Sequence, residues 1–148
     1  MANTPNNVIT PQHSVLGIGN FSAVTACTTR APTVVASLAA ANISAIIPTT
    51  TADTPITRIS LKGSSSSFVA PTANQTLTLW VCDGTTAYPY KEINLSLTTP
   101  STTVGSFETD FLLTEFSLPI GYSLYGSTSI TTTAVTTGFV AHAFGSSM

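Results

Sequence analysis

A chain of 148 residues has the length of one domain and can bury roughly 70% of the surface its unfolded form exposes. Only 7% of its residues are charged, with four Lys plus Arg against six Asp plus Glu, so no basic stripe for nucleic acid and no polybasic membrane contact can be assembled. Ser and Thr supply 46 residues, which makes the expected surface polar but uncharged, while the 43% hydrophobic content is too high for a disordered chain.

The first twelve residues, Met1 to Gln12, are rich in Asn, Pro and Thr and contain neither a basic n-region nor an apolar h-region, so they do not read as a secretory signal. Pro5 and Pro11 restrict the backbone and remove donors, which predicts an extended N-terminal arm over 1–12 and a single domain over 13–148. The arm is expected to contact another chain, with Thr4, Pro5, Asn6, Asn7, Val8 and Ile9 as the candidate partner-binding residues. Val34 to Ile47 is the one segment whose Ala-rich middle permits a helix. Its β-branched Val34, Val35, Ile43, Ile46 and Ile47 favour extended structure, and Pro48 ends it either way.

From Thr57 onward the pattern has period two. Thr57, Ile59 and Leu61 share one face of a predicted strand and Arg58, Ser60 and Lys62 the other, before Gly63 and the Ser64–Ser67 run break it. Thr76 to Cys82 is the strongest strand: Leu77, Leu79 and Val81 face one way, Thr76, Thr78, Trp80 and Cys82 the other. Asp83-Gly84-Thr85-Thr86 supplies residues tolerant of positive φ, and Tyr88 to Leu97 resumes the alternation, so the two runs predict a hairpin with Ile93, Leu95 and Leu97 facing the core. Pro89 falls near the strand start, where a missing donor costs least. Further extended segments follow at Phe107–Leu118, Tyr122–Tyr125, Ser127–Thr133 and Gly138–Phe144, with Pro119 and Gly121 at the second and fourth positions of a turn. Strands at short spacing with Gly, Pro, Ser and Thr between them predict an all-β protein: an antiparallel β-sandwich, jelly-roll-like. Its edges would lack the charges that usually protect them, which makes partner subunits the expected cover.

No motif carries chemistry. His142 sits in an apolar strand and His13 beside the arm, and no Gly-x-Ser-x-Gly or other nucleophile motif accompanies them, so both read as structural. Glu108, Asp110 and Glu115 could act as paired carboxylates or Ca²⁺ ligands, but a solvated edge, or salt bridges to Arg58, Lys62 or Lys91, accounts for them better. Trp80, Tyr88 and Tyr90 could form a sugar-stacking platform, against the alternative of sheet packing. Cys27 and Cys82 read as buried free thiols, and the four Asn-x-Ser/Thr matches at Asn20, Asn42, Asn74 and Asn94 reflect composition. No catalytic residue, metal or cofactor is expected, and the chain is not expected to be an enzyme.

Three phrases occur in order: Ile56-Thr-Arg-Ile-Ser-Leu; Leu77-Thr-Leu-Trp-Val-Cys-Asp-Gly with Tyr90-Lys-Glu-Ile; and Leu118-Pro-Ile-Gly-Tyr-Ser-Leu-Tyr-Gly-Ser-Thr-Ser, followed by Val140-Ala-His-Ala-Phe-Gly. This order, over about 60% of the chain, resembles small β-sandwich virion proteins of tailed bacteriophages. The resemblance implies a structural virion protein, made in the host cytoplasm and located on the capsid surface. It would be a decoration (cement) protein bound to the major capsid protein and bridging capsomers. The alternative is a tail- or fibre-associated protein with a carbohydrate-binding surface. Capsid decoration often sits on local threefold axes, so a homo-oligomer, and a trimer first, is the expected state, with no nucleic-acid or membrane partner.

Overall fold

The structure is a computed structural model that describes residues 14–38, 43–63, 74–95, 101, 103, 105–133 and 138–145. The expected arm, 1–12, lies outside the described residues, as do Leu97 and His13. Nine strands are described: β1 (Ser14–Asn20), β2 (Thr33–Val34), β3 (Ser44–Ile47), β4 (Thr54–Gly63), β5 (Gln75–Cys82), β6 (Thr86–Leu95), β7 (Glu108–Leu118), β8 (Ser123–Thr128) and β9 (Phe139–Gly145). They form two antiparallel sheets, a four-stranded one in the order β1-β9-β4-β7 and a five-stranded one in the order β2-β6-β5-β8-β3. Apart from the short β2, the chain alternates between the sheets at every connection except the β5–β6 hairpin. That is the strand order of a jelly roll, the expected fold class.

The hairpin forms as its residues predict. Gly84 takes φ +93 and the Asp83 carboxylate accepts hydrogen bonds from the backbone N–H of Thr85 and Thr86 at 2.9 and 2.7 Å. Leu77, Leu79, Ile93 and Leu95 are buried between the sheets, and Val81 packs against the same core. In β4, Ile59 and Leu61 point inward with no exposure. Phe21 stacks on Phe139, ring centroids 4.6 Å apart, and the Phe107 ring meets Phe139 edge-on.

Four details depart from the sequence reading. The Val34–Ile47 segment is not helical where described: β2 leads into a single 3₁₀ turn over Val35–Ser37, and β3 follows, in line with its β-branched residues. Ser123–Thr128 is one continuous strand rather than parts of two, because Gly126 lets the Phe21 ring pack where a side chain would stand; a Cβ there would lie 2.4 Å from Phe21 Cζ. The turn before it is shifted by one residue. Tyr122 N–H donates to the Pro119 carbonyl at 3.1 Å, which puts Pro119 first and Gly121 third, where its φ of +84 is needed. Thr50 clamps that turn, its Oγ1 donating to the Pro119 carbonyl at 2.6 Å.

The fourth departure is a second core. Trp80 and Cys82, on the face of β5 opposite the leucines, are also buried, together with Cys27, Leu38 and Ala87. The chain between β1 and β3 creates this core by crossing the outer face of the five-stranded sheet. It is held at β8 by Cys27 N–H to the Thr128 carbonyl (2.8 Å), and by Val24 N–H to Thr132 Oγ1 (2.9 Å) beyond the strand's end. At β6 it is held by β2 pairing and an Arg30–Glu92 ion pair. The indole N–H of Trp80 donates to Ser127 Oγ at 2.7 Å, so the ring is buried with its polar atom satisfied.

Candidate interaction face

The two sheets therefore end up unlike. The outer face of the five-stranded sheet is covered around Trp80, Cys82 and Ala87 by the chain's own crossing segment, with Glu92 and Asn94 of β6 left exposed, whereas the four-stranded sheet has no such cover among the described residues. On β9, Phe139, Ala141 and Ala143 turn inward and are fully buried, which sends Val140, His142 and Phe144 outward. Strand register then sets three rows across all four strands: Val15–Phe144–Arg58–Leu112, Ile18–His142–Ser60–Asp110, and Asn20–Val140–Lys62–Glu108.

These rows divide the face. The β1–β9 half is apolar or uncharged, with Val15 and Ile18 50% and 57% exposed. The β4–β7 half holds the charges, and they pair within the chain: Arg58 to Asp110 at 3.7 Å and Lys62 to Glu108 at 3.4 Å. Both pairs are well exposed and contribute about 0–1 kcal/mol each. Glu108 and Asp110 are thus held in exposed salt bridges to Lys62 and Arg58, one of the readings weighed from sequence, while Glu115 sits at φ +57 where β7 bulges away from β4. The Arg58 guanidinium lies 4.3 Å from the centre of the Phe144 ring. With Thr57 and Leu112 these two residues line a shallow groove of about 270 Å³. Leu112, 75% exposed, forms its rim.

Other residues singled out from sequence fall elsewhere. Trp80 is fully buried in the second core and faces away from the tyrosines, which removes it from any sugar-stacking platform. Tyr90 is the bulged residue of β6, opposite the Leu79–Trp80 step, and stacks on Phe116 of β7 with centroids 4.4 Å apart. Cys27 and Cys82 are both buried free thiols, and burial, with the Asp83 carboxylate adding to it, pushes the Cys82 thiol up to about 11. Thr4, Pro5, Asn6, Asn7, Val8 and Ile9 lie outside the described residues. Among the described residues, no three His, Cys, Asp or Glu side chains gather where they could hold a metal, and no helix is long and apolar enough to cross a membrane.

Sequence reasoning missed the residues that give this face its character: Val15 and Ile18, in a strand not foreseen, and Leu112 and Phe144. A signal for Leu112 was present. Phe111, Leu112 and Leu113 are three consecutive apolar residues in a strand, so they cannot all face the core. Comparison with protein-family models, with curated proteins and with solved structures finds no match.

Proposed function

We propose that this chain is a structural protein of a virus particle, a decoration protein that docks on the outside of a tailed-phage capsid and bridges neighbouring capsomers. The carrying observation is the outer face of the four-stranded sheet, where Val15, Ile18 and Leu112 stand exposed around half-buried Phe144, while the centre of the other sheet's outer face is covered. Displayed apolar side chains grouped in this way mark a contact surface. The phrase order that resembles phage virion proteins supplies the particle. Jelly rolls build capsid, lectin and other domains alike, so the fold supports the reading only by analogy.

Bridging capsomers asks for a stiff domain with an area that adheres without charge. The ion pairs on this face are satisfied internally, and the described strands of the β1–β9 half carry no Asp, Glu, Lys or Arg whose attraction salt could screen. The test is to add purified protein to particles stripped of it, and to count copies bound. Hundreds of copies spread over the shell, lost with Leu112→Asp, are expected. A few copies at one vertex or along the tail would overturn the decoration reading, and so would binding that Leu112→Asp leaves unchanged.

A further inference from the structure

Among the described residues the two sheets end in four edge strands, and three of them are guarded. β2 has two residues, and β3 has four and runs into Pro48. β7 carries Glu108, Asp110 and Glu115, bulges at Glu115, and is followed directly by Pro119. Short length, charge, bulges and proline are the devices that keep edges from pairing. β1 is different. It has seven residues, no charge and no proline, and half-exposed Val15 and Ile18 on its outward face. Its one irregularity, at Leu16, leaves Gly17–Asn20 in regular register with β9.

We propose that β1 pairs with β1 of a second copy of this chain, antiparallel about a twofold axis, so that two four-stranded sheets join into one of eight strands. The occupant follows from closure and from charge. A strand that pairs antiparallel with itself forms an isologous contact that is complete at two copies. A ring of three would need β1 to meet a different edge of its neighbour, and the other edges are the guarded ones. This replaces the threefold expectation by a twofold one. A charged partner would find nothing to pair with on β1, whereas an uncharged strand meets its own copy without repulsion. Joining at β1 also brings the Val15 and Ile18 side chains of two copies together, which makes one continuous apolar band from two small ones. The inference deepens the reading of this sheet as a contact surface, but it concerns the free protein and needs no particle.

Sedimentation equilibrium of the purified chain tests it. One chain has a mass of 15.3 kDa. A species of twice that mass is expected at concentrations up to about 100 μM. Ile18→Lys places a lysine on the edge and should raise the dissociation constant at least about tenfold, by setting like charges near each other across the axis. Leu112→Lys, on the same face but at the far edge, should leave the dimer intact. Emission from the single tryptophan, buried Trp80, should be unchanged in both variants and certifies the fold. A monomer throughout, a three-copy species, or a dimer that Ile18→Lys does not weaken would each overturn β1 pairing. Equal weakening by both variants would do so too, since it would mean face-to-face stacking. Particle attachment is read separately, so a monomer that still decorates capsids would sink this inference and leave the proposed function standing.

Discussion

Trp80 shows how one side chain can change its meaning with its surroundings. Its neighbours on that face of β5 are Thr76, Thr78 and Cys82, a pattern that reads as a solvent side. In the fold, the ring is covered by Cys27 and Leu38 and bonded to Ser127. Ser127→Ala would leave the indole N–H buried without that partner and should cost about 1–3 kcal/mol, read as a lower urea midpoint at unchanged slope. Cys82 sits in the same cluster, and its thiol keeps its proton in the native state up to about pH 11, against an ordinary value of 9.0. Between those values the folded chain holds a proton that the unfolded chain releases. Its contribution to stability is therefore complete below pH 9.0 and is lost as pH rises through that window. Native protein at pH 8 should resist alkylation at Cys82 and become modified in urea, with peptide mass spectrometry as the readout. Rapid modification of the folded chain would show that the second core opens readily.

At the scale of elements, glycines decide how closely strands approach. A Cβ on Gly17 of β1 would lie 2.0 Å from the Ile46 carbonyl oxygen of β3, across the two sheets, and one on Gly145 of β9 would lie 1.9 Å from the Pro55 carbonyl oxygen of β4, its neighbour in the same sheet. Neither neighbour is a side chain that could swing away. Gly17→Ala should destabilise by about 1–3 kcal/mol or more, because a strand must shift to make room. Leu79→Ala acts oppositely, leaving a void between the sheets, and should cost about 2–5 kcal/mol. Thermal melts of the two variants check both. A cost below about half a kcal/mol for Leu79→Ala would contradict its complete burial.

For the whole molecule, the unequal sheets are the main consequence of the topology. The centre of one outer face is covered by the chain's own crossing segment, and the other face has no such cover among the described residues. If the protein docks on a particle through the β1–β9 half as proposed, the attachment should survive roughly 1 M salt, where ion pairs between exposed groups are screened within about 3 Å. Release from particles on raising salt, followed by sedimentation, would point instead to the β4–β7 charges as the contact. If β1 also joins two copies, the melting temperature should rise with protein concentration, as mass action on a dimer requires.

The β5–β6 hairpin and the inward-facing Ile59, Leu61, Leu77 and Leu79 were determined by the sequence itself, because alternation and an Asp-Gly turn are local properties of the chain. Thr57, read on the same face as Ile59 and Leu61, instead lines the outer groove, because a bulge between Ile56 and Arg58 breaks the alternation there. The uncharged surface was determined by composition alone. Glu108 and Asp110 were legible as edge carboxylates, since residues two apart on a strand share a face. β1 was not legible: Ser-Val-Leu-Gly-Ile-Gly-Asn shows no alternation, and its glycines are there for β3, a strand distant in sequence. Nor could the second core be foreseen, since Trp80 and Cys82 are buried by Cys27 and Leu38, whose places depend on how residues 24–38 cross the sheet. Which face stays bare is likewise a tertiary decision. Period two says that a strand has two sides, but only the packing of remote segments says which side meets water.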